Sequence, residues 1–143
     1  MKYKFLLFTL AIFFTGFVSA QSYGIVGPAA NGWPDAANPT PDIMLTDNGD
    51  GTYSIDNLQL TDGAAKFRSN EVWASDPADT PDYGGTGFPT GTADPNLGSP
   101  DIPVTAGNYD ITLDLNNDTY PFVEVGPTMA APTPSEDAAN VVS

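Results

Sequence analysis

Asn108-Tyr109-Asp110-Ile111-Thr112-Leu113-Asp114-Leu115 is followed by Asn116-Asn117-Asp118 and then by Thr119-Tyr120-Pro121-Phe122-Val123-Glu124-Val125. In the first run Tyr109, Ile111, Leu113 and Leu115 alternate with Asp110, Thr112 and Asp114. A period of two puts the apolar set on one face of a strand and the polar set on the other. Asn116-Asn117-Asp118 supplies residues that tolerate positive φ, so the two runs read as strands joined by a turn. Pro121 cannot donate to a ladder, which implies an edge strand or a bulge.

Working outward, the same signal recurs at Tyr23–Gly27, Ile43–Thr46, Thr52–Leu60, Ala64–Ser69 and Ile102–Val104. In Thr52–Leu60 the inward set is Tyr53, Ile55, Leu58 and Leu60, which requires a shift of register. Asp47-Asn48-Gly49-Asp50-Gly51 supplies a second turn. No helical period appears before the C-terminal tail. About seven short strands separated by such turns indicate an all-β, antiparallel β-sandwich. Ala74–Pro100 is rich in Asp, Pro, Gly and Thr and reads as a long ordered loop.

Residues 1–20, MKYKFLLFTLAIFFTGFVSA, read as a signal peptide: Lys2 and Lys4, an apolar run, then Val18-Ser19-Ala20 before the expected cleavage. The apolar run is too short for a stable membrane span. The β-sandwich then occupies 21–126. Residues 127–143 form a Pro-rich linker in which Ser135-Glu136-Asp137 resembles a helix start, as though a further domain followed.

Composition excludes much chemistry. The 143 residues contain no His and no Cys, so His-based catalysis, thiolate metal sites and disulfides are absent. Cleavage after Ala20 removes two of four cations and leaves 18 acids against Lys66 and Arg68, a charge of −16. Such a surface is unsuited to nucleic acid or an anionic membrane and suits a neutral partner or a cation. The acids are scattered and define no catalytic pair, so the chain reads as a non-enzyme without a cofactor. Asp47-x-x-Asp50-Gly51 lacks the ligand spacing of an EF-hand loop and is explained as a turn.

One constellation stands out. Lys66-Phe67-Arg68 puts both cations on one strand face and Phe67 on the other, toward the core. Asn70 and Trp73 follow, and Trp33 lies in a Gly-Trp-Pro loop. The tryptophans either belong to the core, with Lys66 and Arg68 paired to acids, or form a sugar site. In a sugar site an indole takes the C–H face of a pyranose while Lys, Arg and Asn donate to its hydroxyls.

At these residues the chain resembles the starch-binding β-sandwich modules of the SusE/SusF type. The matching pieces are Tyr23-Gly24-Ile25-Val26-Gly27, Asn31-Gly32-Trp33, Gly51–Ile55, Leu60–Trp73, Tyr83-Gly84-Gly85 and Ile102–Leu115. The resemblance covers about residues 22–126 and implies an immunoglobulin-like sandwich that binds α-glucan. It makes Trp33 and Trp73 the platform and Lys66, Arg68 and Asn70 the donors. It also implies export, to the surface of a Gram-negative cell or beyond. Modules of that type sit in lipoproteins with several copies in tandem, whereas this chain has no Cys and one module. Both differences point to an accessory module of a secreted glycan-utilisation protein. The alternatives are a structural spacer of the same fold and a calcium-dependent adhesion module.

Overall fold

A computed structural model of the chain describes residues 20–75 and 81–126. The expected signal segment, apart from Ala20, and the 127–143 tail lie outside the described residues. Ten strands follow one another: β1 (Tyr23–Val26), β2 (Ile43–Met44), β3 (Thr46–Asp47), β4 (Thr52–Leu60), β5 (Gly63–Ser69), β6 (Asp82–Tyr83), β7 (Thr90–Thr92), β8 (Ile102–Val104), β9 (Gly107–Asp114) and β10 (Thr119–Glu124). They form two antiparallel sheets packed against each other. One has the order β2-β1-β5-β6, with β8 also paired to β5; the other has the order β3-β4-β9-β10-β7.

The alternation read in β9 is realised directly: Tyr109, Ile111 and Leu113 are buried and the residues between them are not. β4 pairs with β9 through Ile55↔Ile111 and then Leu58↔Tyr109, so two residues, Asp56 and Asn57, stand opposite the single Asp110. Asn57 takes a positive φ of 52° there, and its N–H donates to Asp110 Oδ1 at 2.8 Å. This bulge is the expected register shift, and it returns Leu58 and Leu60 to the inner face. Tyr23 against Tyr53, at 4.6 Å between ring centroids, and Phe67 against Tyr120 and Phe122, at 6.0 and 6.2 Å, join one sheet to the other.

Three expectations change. The run Ile43–Thr46 is two strands, because Leu45 turns into the core and its N–H bonds Tyr23 O at 2.9 Å. β2 therefore pairs with β1 in one sheet and β3 with β4 in the other. The segment Ala74–Pro100 contributes β6 and β7, which have no apolar period of their own. Tyr120 gathers that segment: its hydroxyl donates to Gly87 O at 2.9 Å, and Gly91 lies so close to the ring that no Cβ fits. Pro121, expected at an edge or bulge, lies in β10, which has β9 on one side and β7 on the other. The β9–β10 pairing is interrupted at Tyr120 and Pro121 and resumes at Phe122.

Phe67 is fully buried. Phe67→Ala should lower stability by about 3–5 kcal/mol, the usual loss for a core aromatic, read from equilibrium denaturation. A second expectation concerns acid. The Asn117 amide and the N–H groups of Asn116 and Asn117 hold the Asp114 carboxyl below the ordinary aspartate range. The Thr52 hydroxyl and N–H do the same for Asp50. A depressed carboxyl contributes stability above its unfolded pKa of about 4, and this is lost as pH falls through the folded value. Denaturation midpoints should thus fall below about pH 4, and Asp114→Asn should flatten that fall.

Candidate functional site

β5 carries the site because its two faces are used differently. Phe67 points into the core, and period two sends Lys66 and Arg68 to the outer face of the sheet. After Ser69 the chain reverses through Asn70 and Glu71, both at positive φ (51° and 56°), with Val72 N–H donating to Ser69 O at 3.1 Å. This reversal brings Trp73 back over the outer face. Trp33 arrives from the end of β1, where Gly27 and Gly32 exchange N–H···O bonds of 2.9 Å around a tight loop. The Trp33 ring rests against Gly27, where an added Cβ would stand 3.0 Å from it.

The two indoles meet at 5.9 Å between centroids and 57° between planes. Neither belongs to the central core; Trp73 is 40% exposed and Trp33 is half-buried. Trp73 is held in two ways. Its Nε1–H donates to Pro34 O at 2.7 Å, and the Arg68 guanidinium carbon lies 4.9 Å from its ring centroid. That distance is within cation–π range.

The five residues singled out by sequence are placed unequally. Trp33, Trp73 and Lys66 come together around a cleft of about 160 Å³, with Asp101 as the fourth wall. Lys66 Nζ donates to Ser99 O at 2.6 Å and stands 3.6 Å from Asp101 Oδ1. Arg68 shares the outer face but is 5% exposed. Its Nε donates to Asp42 Oδ2 at 2.9 Å and its second nitrogen to Asp42 Oδ1, so the guanidinium is committed to Asp42. The expectation that Lys66 and Arg68 present free donors does not hold: both are paired to acids, as the other reading has it, with Lys66 also meeting Ser99 Oγ at 3.5 Å and Arg68 covered. Asn70 uses its side-chain oxygen to accept from Ser22 N at 3.0 Å, which fastens the entry to β1. It lines neither cleft at the tryptophans.

Other residues escaped the sequence reading. Asp42 lies against Gly24, where a Cβ would collide with the Asp42 side chain; a glycine here lets the acid reach Arg68. Asp101 precedes β8 in a loop and meets Lys66 only through the β5–β8 pairing, for which no local pattern exists. Asp82, opposite Arg68 in β6, accepts from Ala74 N at 2.9 Å, and burial pushes its carboxyl above the ordinary range. A second cleft of about 480 Å³ shares Trp73 and is lined by Pro34, Pro39, Pro41 and Val72, with Arg68 and Glu71. A larger one, about 590 Å³, lies away from the tryptophans between Gly85 and Asp118 and has no aromatic ring in its wall.

The aspartates of the Asp47–Gly51 turn are occupied locally. Asp47 Oδ1 accepts from Gly49 N at 2.8 Å, and Asp50 Oδ1 accepts from Thr52 N at 3.0 Å. Among the described residues no three acidic side chains converge as a metal site would require. No family model, curated protein or solved structure matches the chain.

The Arg68–Asp42 pair is out of water on both sides. Removing one partner strands the other, so Asp42→Ala should cost about 3–5 kcal/mol in equilibrium denaturation. Replacing both by apolar residues, Arg68→Met with Asp42→Leu, should recover most of that loss.

Proposed function

We propose that this chain is a non-catalytic module that binds a neutral polysaccharide, most simply an α-glucan, on the outer face of the β5 sheet. The observation that carries the reading is the tilted Trp33–Trp73 pair outside the core, opening beside Lys66 and Asp101. Trp73 offers the C–H face of a sugar a rigid indole, since Pro34 O and Arg68 fix its edge and plane. Lys66 donates to a hydroxyl and Asp101 accepts from one, so a single ring can be gripped in both senses. Arg68 serves this site from behind the indole, and Asn70 serves it by holding the turn that carries Trp73 to its place. The wider cleft sharing Trp73 has room for neighbouring residues of a glycan chain.

The same reading makes the module an exported one, at the surface of a Gram-negative cell or outside it. The signal-like 1–20 segment and the acidic surface support it. One observation favours the spacer reading instead: Trp73 covers the buried Arg68–Asp42 pair, and that cover is a structural task in itself.

Calorimetry with soluble starch-type glucans separates the two. Trp73→Ala should weaken binding about fivefold or more while the fold persists by circular dichroism, since a stacking contact is worth on the order of 1 kcal/mol and a shallow site has few others. Unchanged binding in the folded variant rejects the platform; no binding by the wild type supports the spacer. For a neutral ligand the affinity should stay nearly constant as salt is raised, because no charge is screened.

A further inference from the structure

We propose that Asp82 is a positioning residue for Trp73, and that it holds the turn behind the indole more tightly in mild acid than at neutral pH. The inference deepens the reading of Trp73 as a sugar platform and rests on that reading only where a ligand is named. Its basis is the register of β6, which sets Asp82 opposite Arg68 and Tyr83 opposite Phe67. Phe67 and Tyr83 are buried in the core, so Asp82 shares the outer face with Arg68. The chain leaves β5 after Ser69, crosses the guanidinium at Trp73 and returns to the sheet at Asp82. One residue beyond the indole it is caught: Ala74 N–H donates to Asp82 Oδ2 at 2.9 Å. Pro34 O holds the ring nitrogen of Trp73 and Arg68 lies against the ring, while Asp82 holds the main chain that follows.

This catch contains an unresolved demand. The second carboxylate oxygen, Oδ1, is buried and has no hydrogen-bond partner among the described residues. Arg68 does not supply one, since its Nε and second nitrogen both go to Asp42. The charged groups around Asp82 are Arg68 and Lys66 from β5 and Asp42 from the loop before β2. Tyr83 points into the core, and Asp94, bridged to Gly84, has its Oδ1 occupied by Asn96. Burial is the strongest influence and opposes the ionised form, as does Asp42; Ala74 N–H and the two cations favour it. The carboxyl therefore sits above the ordinary aspartate range. A charged oxygen buried without a partner is relieved in one of two ways. The turn opens and water reaches Oδ1, or the carboxyl takes a proton and the turn stays shut. The opened carboxyl returns to its ordinary, lower affinity for protons, so protonation favours the shut form. Ala74 keeps its acceptor in both states, because a neutral carboxyl still accepts through its carbonyl oxygen. The stability this group contributes is thus full below the ordinary aspartate value of about 4 and is lost as pH rises through the raised one. That is opposite in sign to Asp114 and Asp50, so the tightening belongs to mild acid above about pH 4.

Hydrogen exchange in the full 143-residue chain, followed by NMR and corrected for the intrinsic effect of pH, reads the turn through two protons: the Ala74 amide and the Trp73 Nε1–H. From about pH 7 to about pH 4.5 the protection of both should rise, about fivefold or more for Ala74, the equivalent of relieving one buried unpaired group. Asp82→Asn keeps an acceptor without a charge and should show high protection at both pH values. Asp82→Ala has no acceptor and should show low protection at both; where it fails to fold, the comparison with Asp82→Asn decides. Wild-type Ala74 protection that is flat or falls toward acid overturns the proposal, as does an Asp82→Asn variant that keeps the wild-type pH dependence. A Trp73 Nε1–H that follows neither pH nor the Asp82 variants overturns the positioning role. Calorimetry with a soluble starch-type glucan adds the ligand: the wild type should bind more tightly at the lower pH, and Asp82→Asn equally at both. The expected exchange in a protein that binds no glucan supports the role of Asp82 and rejects the platform. Glucan binding without the exchange pattern rejects the role of Asp82 alone.

Discussion

A guanidinium and a carboxylate taken out of water must be enclosed on every side, and the outer face of the β5 sheet is organised by that demand. Arg68 and Asp42 satisfy each other through two contacts. Gly24, across from Arg68 in the ladder, leaves the space that Asp42 fills. β2 follows Asp42 immediately and adds itself to β1, and Trp73 lies over the guanidinium. Pro34 then fixes Trp73 by its carbonyl, and Trp33, its neighbour in sequence, completes the aromatic pair. The aromatic site is in this sense the outer wall of an ion pair. It is rigid because the pair beneath it tolerates no gap.

The sequence was legible where one interaction range sufficed. Period two in Asn108–Leu115 and the bulged period in Thr52–Leu60 are local properties, and both strands form where the pattern puts them. Phe67 inside with Lys66 and Arg68 outside follows from the same rule. What stayed hidden depends on partners far along the chain. β7 is Thr-Gly-Thr, which has no apolar signal and exists because Tyr120 pulls the loop against itself. The burial of Arg68 depends on an acid 26 residues earlier, and no spacing rule connects a strand cation to an aspartate in the loop before β2. Asp101 reached the site by the same kind of long-range pairing.

Two tryptophans in loops were open to two readings, core or platform, and the structure makes that opposition too simple. They lie outside the central core but are not loosely displayed: one is tied by its indole nitrogen and stacked on a cation, the other is seated on a glycine. The sugar platform proposed above would draw on this arrangement, because a mobile indole would lose in ordering entropy what it gained in contact. The pairing of Lys66 with Asp101 at 3.6 Å has a similar logic. It holds the ammonium and the carboxylate in place beside the two indoles.

The five residues Ile43–Asp47 have a consequence for the relation between the layers. β2 is hydrogen-bonded into one sheet and β3, one residue later, into the other, with Leu45 buried between them. Apolar contact between two sheets is non-directional and by itself permits them to slide. Here any translation of one layer past the other must break the ladder to β1 or the ladder to β4. The segment thus acts as a key between two plates: it sets their lateral alignment, so that Phe67 meets Tyr120 and Phe122, in a chain that has no disulfide to do so.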